Sequence, residues 1–498
     1  MKQELLELAT ELERKPIVAI DVGTTKISVI IARASFNVDQ YLAEGMITPR
    51  NLRLIVDGMG VTPSFGMREG SIYNINKVSS SIKRAMDLAK TQVGIEGNTN
   101  FQRVLFSVAG VALRKEDISQ SISFEDTGHI ITREDVRRLF ARAKNSATNS
   151  SNVIHVIPTE FYVKQGNKDV PLKPIVNEII GAVGDALIGK FTLVSIDQTN
   201  VNTLKMAIEW AGLSPDEVIL QPLASTMATA TPADQEIGVL VIDIGGGTTD
   251  LLYMKNHSII EVNSIDIAGN TVDHDIKQLL NITLQEARRL KEKVGSLVIS
   301  KNVRKDDRID IFFDDKSHPV SVKVNQLIGI IAARYAELFS EDIPEALRSL
   351  ARIVNMQNYK TNTGLYDSGE ISNVILTGGG SNLKGIEVLA AQCFGQTKIS
   401  GVFRNNVQVR KKGPDMWIDV KQSTVQIPKG DNSNLLIHST AVGMIVHYIQ
   451  ERVVDIVYSG QSKTTKDDLG ESKLIQSIKQ WFKGFLSSEG ETDNDETF

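Results

Sequence analysis

A short pattern occurs twice in this chain, about 220 residues apart, and it constrains most of what the rest can be. The first copy reads Ile17-Val18-Ala19-Ile20-Asp21-Val22-Gly23-Thr24-Thr25-Lys26 and runs into the alternating Ile27, Val29 and Ile31. The second reads Val239-Leu240-Val241-Ile242-Asp243-Ile244-Gly245-Gly246-Gly247-Thr248-Thr249-Asp250, followed by Leu251, Leu252 and Tyr253. Each is an apolar run, a turn of glycine and threonine, and a second β-like run, which is the pattern of a hairpin. In both, an aspartate closes the first strand. Duplication of such a unit predicts an α/β chain of two related domains with a site in the cleft between them.

Turns of this kind suit one ligand chemistry. A polyphosphate needs several backbone N–H donors close together, hence residues with little or no side chain, plus hydroxyls and a carboxylate that can hold a cation. Asp21–Lys26 supplies all of these in six residues, and Asp243–Asp250 in eight. A third glycine turn, Thr377-Gly378-Gly379-Gly380-Ser381, follows the short apolar stretch Val374–Leu376. One such turn is merely a tight turn in most proteins. Three, two of them led by an aspartate, point to a nucleotide site.

Composition adds limits. At 498 residues the chain has room for two to four domains, and 41% hydrophobic with 23% charged residues excludes wholesale disorder. A net charge of −5, from 55 Lys+Arg against 60 Asp+Glu, disfavours a nucleic-acid coat, and no nucleic-acid partner is expected. The single cysteine, Cys393, permits no disulfide framework and no cysteine zinc site, fits a reducing cytosol, and reads as a small buried apolar residue. The longest apolar runs, such as Ile237–Ile244, are strand-sized, and the N-terminus lacks the apolar stretch of a signal peptide, so a cytoplasmic location is expected.

Elsewhere, Met1–Arg14 carries Leu5, Leu8 and Leu12 at helical spacing and reads as a docking helix. Lys77–Lys90, Val201–Ala211, Thr132–Lys144 (capped by Thr132), Thr283–Val294, Val324–Leu338, Ile386–Cys393 and Leu436–Glu451 read as further helices. Phe101–Ile122 and Val153–Val163 read as strands. Ser459–Ser472 has no apolar periodicity and reads as a flexible linker.

The paired hairpins resemble the phosphate-1 and phosphate-2 loops of the superfamily of actin, sugar kinases and heat-shock chaperones, and Thr377–Ser381 resembles its adenosine loop. The resemblance implies two actin-like domains on RNase-H-like sheets with Mg-ATP between them. It implies that Asp21, Asp243 and Asp250 face the hydrated Mg²⁺. Gly23, Thr24, Thr25, Gly245, Gly246, Gly247 and Thr248 would cradle phosphates, Lys26 would neutralise charge, and Gly378, Gly379, Gly380 and Ser381 would approach purine and ribose. Magnesium keeps much of its water, so carboxylates acting through water suit it. Lys291, in Ala287-Arg288-Arg289-Leu290-Lys291, matches a lysine of the nucleotide-facing helix, although Arg288 stands where the superfamily places a glutamate. Leu220-Gln221-Pro222-Leu223-Ala224-Ser225 is similar to the stretch that orients the attacking water. Many relatives carry glutamate at the place of Gln221. A carboxamide can orient water but is a poor general base, so hydrolysis is expected to be slow or weak, with ATP acting mainly as a conformational and polymerisation ligand.

Further passages are similar to the FtsA family of bacterial cell-division proteins. They are Val61–Gly70 leading into Ser80–Asp87, the trio Val104–Gly110, Ile131–Asp135 and Ile154–Pro158 of that family's inserted 1C subdomain, and Ala333-Arg334-Tyr335-Ala336-Glu337-Leu338. The last looks like the helix that docks the C-terminal tail of the tubulin-like protein FtsZ, which implies partner contacts at Arg334 and Glu337. The family also places an amphipathic helix after a linker at the C-terminus. Here Leu474, Ile475, Ile478, Trp481, Phe482, Phe485 and Leu486 fall on one helical face with Lys473, Lys479 and Lys483 beside it, a composition suited to an anionic bilayer interface. An acidic stretch with Glu489, Glu491, Asp493, Asp495 and Glu496 follows, where the family pattern usually stops.

The resulting division is an N-terminal arm at 1–15, domain 1A at 16–100 and 186–235, the 1C insert at 101–185, domain 2A at 236–272 and 346–458, and subdomain 2B at 273–345. A linker at 459–472, the amphipathic helix at 473–488 and an acidic tail at 489–498 complete it. The resemblance implies an ATP-binding scaffold that forms homopolymers through the insert (Phe101–Val163) and ties FtsZ, with other division proteins, to the inner face of the membrane at the septum. Two other readings stay open. A sugar or acetate kinase would need a catalytic base that the sequence does not offer, and a pilus-assembly actin-like protein would not need the lysine-aromatic tail.

Overall fold

The structure is a computed structural model. It describes residues 2–458 apart from 69, 95–100, 109–112, 127, 148–152, 167, 173–178, 256, 300–306, 312–319, 351–369, 398–400 and 426–434. The expected linker, amphipathic helix and acidic tail beyond 458 lie outside the described residues.

The duplication read from the hairpins extends to whole sheets. Ile17–Val22, buried along its entire length, pairs antiparallel with Lys26–Phe36, which pairs antiparallel with Leu52–Pro63. On its other side it takes Val104–Val108 in parallel, and then Glu217–Leu220. The second half repeats this order. Val239–Ile244 pairs antiparallel with Thr249–Lys255, which pairs with Ser258–Ile265, while Ile371–Thr377 and Phe403–Lys411 follow in parallel on the other side. Both hairpins close through the same bond. Gly23 N–H donates to the Lys26 carbonyl at 3.0 Å, and Gly245 N–H to that of Thr248 at 2.9 Å. Parallel strands flanked by helices are buried on both faces and read as unbroken apolar runs, which is why Val239–Ile244 shows no alternation.

The sheets correct two limits expected for the insert. Val104–Val108 belongs to the first five-stranded sheet, with Ile20 opposite Phe106, and not to the insert. Ala186–Ile196, expected in the return to domain 1A, is instead an inner strand of the insert's own four-stranded sheet, in register from Ala186↔Ser123 to Ile196↔Leu113. That sheet therefore spans Leu113–Ile196 rather than 101–185. It has a separate core in which the Phe140, Phe161 and Phe191 rings pack edge to face, with centroids 5.0 Å apart for Phe140–Phe191 and 5.7 Å for Phe161–Phe191. The insert also reaches the second half, where Lys115 pairs with the buried Glu261 of Ser258–Ile265.

Two helices run between the halves. Gln221–Thr229 is buried at every position, and Ser439–Tyr458 crosses it so closely that a Cβ on Gly443 would overlap the Ala224 carbonyl. The N-terminal helix Lys2–Arg14 docks through Leu5, Leu8 and Leu12. Helices Gly269–Leu280, Leu284–Val294 (capped by Thr283) and Val324–Glu337 gather on the second half, the first opening at Gly269, ahead of the expected start of 2B at 273. Cys393, expected to be buried, is only partly covered by the second core.

Candidate functional site

The tips of the two hairpins meet. A Cβ on Gly247 would come 2.6 Å from Thr24 Oγ1, and one on Gly246 would overlap the Thr25 side chain, so glycine is required for the approach. Asp21, Gly23, Thr24, Thr25, Lys26, Gln221, Asp243, Gly245, Gly246, Gly247, Thr248, Asp250, Gly378 and Gly379 line one cleft between the halves. The third glycine turn reaches it because Gly378 packs directly on the Asp243 carboxylate, where a Cβ would collide.

Gly380, Ser381 and Lys291, expected in the same site, stand behind its wall. Ser381 is fully buried with its hydroxyl donating to the Thr377 carbonyl at 2.6 Å, and the Gly380 carbonyl accepts from the Tyr335 hydroxyl at 2.8 Å. Lys291 pairs with the buried Asp273 at 2.7 Å and donates to the Gly269 carbonyl at 2.8 Å. That pairing braces the start of Gly269–Leu280, whose first amides support the second hairpin turn: Asn270 N–H donates to the Gly246 carbonyl at 2.7 Å. Arg288, in the glutamate's place, donates to Asp273 and Asn270, each at 3.3 Å.

Two aspartates from different halves face this cleft. Ser107 and Gln221 both donate to Asp21 Oδ1, at 2.8 and 3.1 Å. Ser225 donates to Asp243 Oδ2, and Thr440 does so at 3.3 Å. Burial, with the neighbouring charge of Asp243, pushes the Asp21 pKa up to about 6 against the pull of Lys26 and its two donors. Burial likewise raises Asp243. Burial lowers Lys26 to about 8, against the attraction of both aspartates, and its ammonium donates to the Ile437 carbonyl at 3.0 Å. Burial is the leading cause of all three shifts, and a bound divalent cation would favour the charged form of both carboxylates.

The residues fit a hydrated magnesium on a polyphosphate. Among the described residues no three His, Cys, Asp or Glu side chains converge to hold a metal directly, so Asp21, Asp243 and Asp250 form no cage of their own. Magnesium retains waters and takes phosphate oxygens, and needs none. Asp250 is buried and accepts from Ser264 at 2.6 Å.

Gln221 also has a task its position did not suggest. Its side-chain nitrogen donates to Asp21 Oδ1 and to Ser107 Oγ, each at 3.1 Å, so it holds the aspartate. Ser107, Ser225 and Thr440 were not picked out by sequence reasoning. The available signal was hydroxyl residues inside largely apolar segments, since buried hydroxyls need partners. The expected partner residues sit elsewhere, on Val324–Glu337. There Arg334 forks onto Asp275 at 2.6 and 3.0 Å and pairs with Glu337 at 2.8 Å. The turn that follows, Leu338–Asp342, is π-helical.

The family model "Cell division protein FtsA" matches residues 240–428, which include the second hairpin and the third glycine turn. Over nearly full length, "Cell division protein FtsA" of Escherichia coli (strain K12) is 25% identical across 476 residues, 95% of this chain and 96% of that one. Its namesake in Pseudomonas aeruginosa is 24% identical over 94% and 98%. That of Bacillus subtilis (strain 168) is 26% identical over 79% and 78%. Among solved structures, the "PilM-PilN type IV pilus biogenesis complex" aligns at 16% identity and a TM-score of 0.49 over 87% of this chain and 98% of that one. The sequence matches extend across both hairpin-bearing halves. The chain is similar to FtsA cell-division proteins over nearly its full length, and the family model matches part of its second half.

Proposed function

We propose that this chain binds Mg-ATP between its two halves, assembles into a homopolymer, and tethers FtsZ filaments to the cytoplasmic membrane at the division site. The observation that carries the reading is the meeting of two glycine hairpins over two aspartates, Asp21 buried and Asp243 partly exposed, with one lysine. Bound magnesium would screen the phosphates and both carboxylates. Lys26 would meet phosphate charge, and Gly379 and Gly378 would leave room for the nucleoside. Any hydrolysis is slow, because the carboxamide of Gln221 is a poor general base. Polymer contacts involve the insert, the FtsZ tail docks beside Arg334 and Glu337, and the segment 473–488 lies in the anionic membrane interface.

The test is titration of Mg-ATP into Asp21→Ala and Asp243→Ala variants. Each removes a cation-facing carboxylate, and affinity falls by at least tenfold, about 1.4 kcal/mol. Unchanged affinity in both would put the site elsewhere.

A further inference from the structure

Asp21 and Asp243 belong to different halves, yet one turn of one helix holds both. Gln221 and Ser225 stand four residues apart at the start of Gln221–Thr229, a spacing that puts two side chains on the same face. Gln221 donates to Asp21 at 3.1 Å, and Ser225 donates to Asp243. Both are buried, at 8% and 0% exposure. A second donor completes each contact: Ser107 on Asp21 at 2.8 Å, and Thr440, itself 3.0 Å from Ser225 Oγ, on Asp243.

The donors also choose between the carboxylate oxygens. Both donors to Asp21 take Oδ1, and both donors to Asp243 take Oδ2. Among the described residues nothing donates to Asp21 Oδ2 or Asp243 Oδ1, so each aspartate keeps one oxygen for something else. The donors are neutral, so they orient the carboxylates without neutralising them. A hydrogen bond to a carboxylate favours its charged form, which suits a cation-facing group.

We propose that Gln221 and Ser225 are positioning residues for a divalent cation. One helical turn acts as a ruler that fixes the spacing of Asp21 and Asp243 across the two halves and turns one oxygen of each toward the cation. The inference rests on the Mg-nucleotide reading above. It goes beyond that reading by assigning the cation's dependence on closure of the halves to two residues that act through the carboxylates they hold.

The experiment measures ATP affinity against free Mg²⁺ concentration, and in EDTA, for the full chain and for Ser225→Ala, Gln221→Ala, the double variant and Ser225→Thr. Thermal unfolding of each checks its folding. The expected result for Ser225→Ala and Gln221→Ala is a several-fold rise in the Mg²⁺ needed for half-saturation, with affinity in EDTA nearly unchanged. Because either loss frees the same spacing, the double variant shifts little further than one single variant. Ser225→Thr, which restores the hydroxyl, returns the Mg²⁺ requirement toward that of the unmutated chain. Equal losses with and without Mg²⁺, strictly additive shifts, or no shift would overturn the ruler. If the unmutated chain itself bound ATP with no response to Mg²⁺, the Mg-nucleotide reading would fall instead, whatever the variants did.

Discussion

At the scale of single residues, the group with the clearest pH signature is His438. It lies in the tight turn Leu436–His438 behind Lys26, is 4% exposed, and has Nδ1 2.8 Å from Ser28 Oγ. Burial, and then the charge of Lys26, hold its pKa down at about 3. In an unfolded chain a histidine titrates near ~6.5. The folded value lies below the unfolded one, so the unfolded chain takes the proton first as pH falls. The stability contributed by the neutral ring is therefore complete above about 6.5 and is lost progressively below it, at about 1.4 kcal/mol per pH unit. Between pH 7 and 5 the unmutated chain should lose about 2 kcal/mol more than His438→Gln, read from denaturant midpoints at both pH values. Carboxylates common to both proteins cancel in the difference. An equal fall in both would show that the folded ring titrates normally. Sequence reasoning located Asp21 and Asp243 because a strand-ending aspartate before a glycine turn is a local pattern. It missed Ser107, Ser225, Thr440 and His438 because each gains its role from a partner far away in the chain, Thr440 from Asp243 and His438 from Ser28.

At the scale of elements, the crossing of Gln221–Thr229 with Ser439–Tyr458 is what keeps the halves in register behind the cleft. Two opposing effects decide what Gly443→Ala does. Helix propensity alone would make alanine better by roughly 1 kcal/mol at an interior position. Against this, its methyl group would overlap the Ala224 carbonyl oxygen, a backbone atom that no rotamer change can move. Overpacking of that kind costs about 1–3 kcal/mol and occasionally more, so the clash wins, with a net destabilisation of about 2 kcal/mol in denaturant unfolding. A stabilised variant would mean that the helices part easily. Helix and strand positions were largely legible from periodicity and caps, as with Thr132, whose side chain and Asp135 form a capping box. Sheet membership was not. Val104–Val108 and Ala186–Ile196 are both apolar strands, and which sheet each joins depends on long-range pairing that no local pattern encodes.

At the scale of the molecule, the described residues form three cores: one shared by the first half and one face of the second sheet, one on the rest of the second half, and one in the insert. Besides Lys115–Glu261, the segment around Ile418 returns from the second half to cover the edge of the first sheet. There Asp419 N–H donates to the Leu54 carbonyl at 2.8 Å, and Arg53 donates to the Met416 and Ile418 carbonyls at 2.8 and 2.7 Å. Covering that edge removes a row of unpaired backbone groups that would otherwise invite strand pairing. Among the described residues no helix is long and apolar enough to cross a membrane. The proposed tether is 473–488, whose sequence has two phenylalanines, one tryptophan and four aliphatic residues at helical spacing and no acid between Lys473 and Ser488. At ~25 cal/mol per Å² of apolar surface, burying that face yields several kcal/mol, and Lys473, Lys479 and Lys483 each add roughly 1 kcal/mol near anionic lipid. The lysine share is screened by salt and the apolar share is not. A chain ending at Ser472 should accordingly lose flotation with anionic liposomes while binding Mg-ATP as before. The full chain should float less as salt rises without detaching altogether. Flotation that survives the truncation would place the membrane contact on the folded body, and complete release by salt alone would deny the aromatic face any part in it.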